Sequence, residues 1–174
     1  MMLISEATLG HLILRLALLT IVAALFVPLF IPGYLRLRAL RRKKPHSGIA
    51  LVRIKQPLRE WLAERTGSWP RMLIGLCIAV DTSGLEFWSG SVRVRRIAVI
   101  PRGEIVGLRH TTVRNGPRRL QSVTFMLAEG DEVTTPLAAS RFGGAFPMSA
   151  TDAAQLASYF AELLAIPRAA SPTA

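Results

Sequence analysis

Residues 84–138 read GLEFWSGSVRVRRIAVIPRGEIVGLRHTTVRNGPRRLQSVTFMLAEGDEVTTPLA. Short runs rich in Val, Ile, Thr and aromatics (LEFW, VRVRRIAVI, IVGLRHTTV, LQSVTFML, EVTTPLA) are punctuated by Ser89-Gly90, Pro101-Arg102-Gly103, Asn115-Gly116-Pro117 and Glu129-Gly130-Asp131. β-Branched and aromatic side chains suit a pleated, half-buried surface, while Gly, Asn and Asp accept the positive φ of tight turns. The stretch therefore predicts consecutive antiparallel strands. Alternation places Val92 and Val94 opposite Arg93 and Arg95, and gathers Val123, Phe125 and Leu127 on one face. Such patterning fits a sheet with one wet side.

Working outward, MLIGLCIAV (residues 72–80) and the Asp81-Thr82-Ser83-Gly84 turn add another strand, and GIALVRIK after Gly48 can begin one. Residues 57–66, with Trp61 and Leu62 among charges, read as a short amphipathic helix or an irregular excursion. The period changes at Ser149–Ala165, where Ala153, Leu156, Ala157, Phe160, Leu163 and Leu164 form one helical stripe. Ser149 and Asp152 are spaced as a capping box, and Pro167 is a stop. The segment from Ala138 to Met148, with Arg141, Gly143 and Gly144, reads as a loop.

This order resembles the bacterial pleckstrin-homology-like domains attached to membrane spans. The resemblance covers roughly residues 71–165 and rests on Gly84–Gly90, on Ile100–Leu108, on the Glu129-Gly130-Asp131-Glu132 hairpin and on the closing helix at Ser149–Ala165. It implies a small barrel plugged by that helix, and in such folds a basic inter-strand loop can hold a phosphorylated headgroup. The stretch from Gly48 to Pro70 departs from the family's pattern.

At the other end of the chain, Leu16–Gly33 (LALLTIVAALFVPLFIPG) carries no charge, and Leu12–Tyr34 has the length to cross a hydrocarbon core of about 30 Å. A cleaved signal peptide is the competing reading. The start MMLISEATLGH has Glu6 and no base, however, and the apolar run ends in FIPGY rather than a small-x-small site. Pro28 and Pro32 are expected to kink or end the helix, and Tyr34 to mark an interface. Arg36, Arg38, Arg41, Arg42, Lys43 and Lys44 then follow. Cations cluster on the cytoplasmic side of a span, so the expected placement is a bacterial cytoplasmic membrane, single-pass, with the N-terminus outside.

The expected fold class is thus one N-terminal transmembrane α-helix followed by a mainly antiparallel, pleckstrin-homology-like small barrel closed by a C-terminal helix. Its boundaries are a short outer N-terminus (1–11), the span (12–34), a basic linker (35–47), the cytoplasmic domain (48–166) and a flexible tail (167–174). The six cations from Arg36 to Lys44 are expected to rest on anionic headgroups. Arg114, Arg118 and Arg119 around a hairpin tip form a second candidate anion-binding patch.

Composition narrows the function classes. The 174 residues hold 22 bases, 19 of them arginine, against 11 acids, for a net charge of +11. Seven of those bases precede residue 45, so residues 45–174 carry only +5, which does not describe a nucleic-acid face. The hydrophobic fraction of 51% argues against a disordered chain. One cysteine, Cys77, excludes an intrachain disulfide framework, and three scattered histidines offer no dense metal site. G-x-S-x-G, H-E-x-x-H, P-loop and G-x-G-x-x-G motifs are all missing, and the pairs Glu60/Glu64 and Asp131/Glu132 read as solvated surface charges. His110 and Cys77 are the places where an unrecognised enzyme site would lie.

The expectation is a non-enzymatic, membrane-anchored interaction domain with no cofactor. It would be an accessory or scaffolding subunit whose partners are the lipid bilayer and another integral membrane protein. Binding of an anionic lipid headgroup is the alternative.

Overall fold

The computed structural model describes residues 6–67, 76–90, 93–140, 144 and 146–166; for helix residues 6–10, 12 and 25–30 it describes the backbone alone. Its elements are α1 (Glu6–Lys43), β1 (Gly48–Val52), α2 (Gln56–Thr66), β2 (Leu76–Asp81), β3 (Gly84–Ser89), β4 (Arg95–Pro101), β5 (Ile105–Asn115), β6 (Arg118–Leu127), β7 (Glu132–Ala138) and α3 (Ala150–Leu164). The expected strand start at Met72, Val92, most of the loop around Arg141 and Gly143, the Pro167 stop and the 167–174 tail lie outside the described residues.

The strands form one seven-stranded sheet ordered β4-β3-β2-β1-β7-β6-β5, with every neighbouring pair antiparallel. Hairpins join β2 to β3, β5 to β6 and β6 to β7. At the first, Asp81 Oδ1 accepts from the Ser83 backbone N–H at 2.9 Å, and Gly84 takes φ 138°. A Cβ on Gly84 would stand 2.2 Å from the Ile100 carbonyl oxygen, so only glycine permits β4 to approach there. One apolar interior draws on all seven strands: Ala50, Val52, Leu76, Ile78, Val80, Leu85, Phe87, Ile100, Ile105, Leu108, Val123, Phe125, Leu127, Val133 and Leu137. A flat sheet could not bring both of its edges to one core, so this sheet curls. It remains a half-barrel, with β4 and β5 as its two edges, where the sequence predicts a small barrel closed by the C-terminal helix.

Two helices fill the concave side. In α3, Ala153, Ala157, Phe160, Ala161 and Leu164 are buried, and Ser149 Oγ accepts from the Asp152 backbone N–H at 3.1 Å as the N-cap. Phe160 stacks on Phe125 with ring centroids 6.4 Å apart. α2 starts with Pro57 in its first turn, ends on Gly67 at φ 64°, and buries Leu58 and Leu62. Its Trp61 ring lies 5.5 Å from Phe87. Residues 57–66 are therefore helix.

The convex side is covered as well. Leu51, Cys77, Ala79, Trp88, Val94 and Ala138 point away from the concave core and pack against Leu37 and Leu40 of α1. The order is α1, sheet, then α2 with α3. This explains why LCIAV in β2 is apolar at every position rather than alternating: both of its faces are buried.

α1 corrects the expected membrane span. Among the described residues, no helix is long and apolar enough to cross a membrane. The helix runs unbroken past Pro28, Pro32 and Tyr34 to Lys43, and Gly33, Arg36, Leu37 and Leu40 are buried against the domain. The uncharged stretch left outside that contact is bounded by Arg15 and Gly33. Residues 16–32 rise about 26 Å, short of a core of about 30 Å. The transmembrane part of the expected fold class, the single-pass description and the placement in a bacterial cytoplasmic membrane with the N-terminus outside are overturned with it. Residues 35–43 of the expected basic linker are the docked end of α1.

Candidate functional site

Successive helix residues turn by about 100°, and this rotation decides what each of the six cations does. Gly33, Arg36, Leu37, Leu40 and Lys43 recur at helical spacing along the side facing the sheet. Arg36 is 4% exposed, and its Nε donates to the Gly90 carbonyl. Burial pushes its guanidinium below the ordinary arginine value, with the nearby Cys77 opposing. Lys43 Nζ donates to the Val94 carbonyl at 3.0 Å and stands 5.6 Å from the Trp88 ring centroid.

Lys44 follows the helix and bridges two carboxylates, Glu86 at 3.0 Å and Asp81 at 3.3 Å. Glu86 is 3% exposed on the convex face of β3, a charge inside an otherwise apolar strand. It also accepts from Trp88 Nε1 and Arg96 Nη1, each at 3.0 Å. Burial lowers the Lys44 pKa, but the hydrogen bonds and charges of Glu86 and then Asp81 outweigh it, and the ammonium is raised overall. A buried carboxylate with three donors satisfies its own lone pairs. These groups fasten α1 to the sheet. Sequence reading assigned the cations to headgroups and passed over Glu86 and Asp81; the signal available was the lone acid in GLEFW.

Asp81 gives the clamp a pH dependence. Partial burial alone would raise its pKa, but hydrogen bonds from the Ser83 side chain and backbone, Ser47 and Lys44 hold it down to about 2. A carboxyl depressed in the folded state adds stability above its ordinary value of 3.8, and that stability drains away as pH falls toward about 2. In thermal unfolding, Asp81→Asn should lower the Tm at neutral pH, and its deficit relative to wild type should shrink on acidification through this window. A deficit constant with pH would contradict the assignment.

Arg38, Arg41 and Arg42 occupy the opposite side of the helix. All three are exposed, and among the described residues they make no hydrogen bond or ion pair. With Tyr34, Leu37 and Ser140 they line an open groove of about 700 Å³ between α1 and the turn after β7. Among the described residues, no carboxylate lines it.

The structure divides the second arginine patch. Arg114 lies directly across from Arg119 on β5 and β6, and Asn115 across from Arg118. Cross-strand partners share a face and neighbours along a strand do not, so Arg118 faces away from the other two. Lys55 Nζ donates to Asn115 Oδ1 at 2.8 Å on the Arg118 side. Opposed like charges are unfavourable, so Arg119→Glu should stabilise the protein by about 0.2–1 kcal/mol. A higher urea midpoint at unchanged m-value would show it.

Cys77 is buried, and its thiol is pushed up to about 12 by that burial, with Arg36 opposing. His110 exchanges a 2.8 Å hydrogen bond with Gln121 on the adjacent strand. Among the described residues, no cluster of three His, Cys, Asp or Glu is placed to hold a metal.

Fold and site together define a curled antiparallel half-barrel with a long helix clamped to its convex face. Comparison with family models, with curated proteins and with solved structures finds no match. The architecture is thus defined by this chain's own strands and contacts.

Proposed function

We propose that this chain is a non-enzymatic interaction module, an accessory or scaffolding subunit that presents the front of α1 for docking onto apolar helices of a partner protein. One observation carries the reading. On the same rigid helix whose end is clamped to the sheet, Ile13, Leu14, Leu16, Leu18, Leu19, Ile21 and Val22 are 45–69% exposed on every side. Thr20 returns its hydroxyl to the Leu16 carbonyl at 2.8 Å, so even the polar residue there offers little to water. Exposed aliphatic surface costs roughly 25 cal/mol per Å², and contiguous apolar patches above a few hundred Å² mark interaction surfaces. Ala17, Ala23 and Ala24 on the same front leave room for close helix approach. The strand order and the helix filling the concave side support regarding the domain as a pleckstrin-homology-like scaffold, a fold suited to display.

The test is purification from the native source followed by native mass spectrometry. The wild-type chain should emerge in fixed stoichiometry with one other protein. Leu14→Glu with Leu18→Glu should abolish that association while leaving the circular dichroism spectrum and Tm unchanged, since both side chains are exposed. A chain that purifies alone, or a variant that keeps its companion, overturns the proposal.

A further inference from the structure

We propose that the groove lined by Tyr34, Leu37, Arg38, Arg41, Arg42 and Ser140 is a binding site for a phosphoryl group, a phosphomonoester or diphosphate borne on a larger molecule. Its three arginines lie on the side of α1 away from the clamp, and its residues are separate in sequence from the apolar front at residues 13–22.

The argument begins with how the cations are used. Of six bases within nine positions, three are committed to the clamp: Arg36 to Gly90, Lys43 to Val94 and Lys44 to Glu86 with Asp81. The other three line one concavity, and among the described residues no acid meets them there. Arg38 and Arg42 are four residues apart and Arg38 and Arg41 three, spacings at which like charges on a helix repel. An anion bound among them relieves that repulsion.

Arg41 and Arg42 also complement the negative end of the helix dipole, a service that cations in a last turn perform anywhere. That accounts for neither Arg38, a turn further in, nor the convergence of a tyrosine and a serine from two separate segments on the same groove. Three full positive charges also exceed the dipole's roughly half a negative charge.

The chemistry selects the ligand. Guanidinium forks match the paired oxygens of phosphate, and the Tyr34 and Ser140 hydroxyls can donate further hydrogen bonds. Leu37 supplies an apolar wall, and the Tyr34 ring a surface for an organic body. At about 700 Å³ the groove exceeds a bare phosphate and matches the size of small-molecule sites. A soluble phosphorylated metabolite and a phospholipid headgroup share this chemistry.

The experiment uses the full chain. Calorimetric titration with inorganic pyrophosphate and with phenyl phosphate reads the soluble source. Co-sedimentation with phosphatidylcholine vesicles, with and without phosphatidic acid, reads the headgroup source. Arg38→Gln with Arg41→Gln should weaken binding at least about tenfold, the loss expected when charged hydrogen bonds are removed. Arg114→Gln with Arg119→Gln removes the same net charge elsewhere and should leave affinity within about twofold. Both pairs are exposed and their removal relieves like-charge repulsion, so a Tm no lower than that of the wild type confirms intact folding.

Binding of pyrophosphate or phenyl phosphate assigns a soluble ligand; binding only to phosphatidic acid vesicles assigns a headgroup. Either result supports the site when the Arg38/Arg41 pair alone is responsible. Equal weakening by the two double variants, or binding to none of the probes, overturns it.

Discussion

Leu40→Ala is expected to destabilise the protein by about 2–5 kcal/mol and to expose Cys77 to thiol reagents. Leu40 is fully buried between α1 and the convex face of the sheet, within the cluster of Leu37, Leu51, Cys77, Ala79, Trp88, Val94 and Ala138. Truncating it removes transfer energy and leaves a cavity where a single helix holds the cover in place. Cys77 is a built-in reporter of that cover. In the intact protein its thiol is buried and held at a pKa of about 12, so the reactive thiolate is scarce at neutral pH. Undocking α1 returns it to water and toward 9.0. Urea unfolding gives the stability loss, and the rate of labelling by an aromatic disulfide gives the exposure. Labelling that stays as slow as in wild type would show that α1 does not shield the thiol.

Phe160→Ala probes the opposite side and should cost about 3–5 kcal/mol. Its ring is fully buried, stacks on Phe125 and leaves no room above Gly48, where a Cβ would stand 2.7 Å from Phe160 Cε1. It joins α3 to strands from both halves of the curled sheet. Because it lies on the concave side, its loss should lower the urea midpoint without unmasking Cys77 below the unfolding transition. The two variants thus separate global stability from docking of α1. If Phe160→Ala accelerates labelling under native conditions as much as Leu40→Ala does, the two faces open as one unit.

Both effects follow from a sheet sandwiched between helices, and the sequence displays its two faces unequally. The turns at Asp81–Gly84 and Asn115-Gly116 stand out because their residues carry the φ requirement locally; Gly84 and Gly116 do adopt positive φ. The C-terminal helix stands out because a 3.6-residue stripe and a serine cap are both local signals. The end of α1 was legible by the same rule, since Gly33, Arg36, Leu37, Leu40 and Lys43 repeat at three and four residues. Its stripe is broken by arginine and lysine, however, and charges ordinarily mark a solvated face. Arg36 tolerates burial, and Lys43 and Lys44 turn toward the sheet, because Gly90, Val94, Glu86 and Asp81, more than thirty residues away in sequence, supply acceptors.

The amino-acid sequence by itself determined the strands, their turns and the helix that closes the concave side, because strand alternation, glycine turns and helix caps act between near neighbours. Only the tertiary structure decided that the basic segment is helix rather than linker, that three of its cations are spent on the sheet, and that the other three share a groove with Ser140. Those outcomes depend on where a rigid helix meets a surface assembled from distant strands. The orientation of one helix about its axis, set by Leu37 and Leu40 seeking an apolar face, separates clamp from groove.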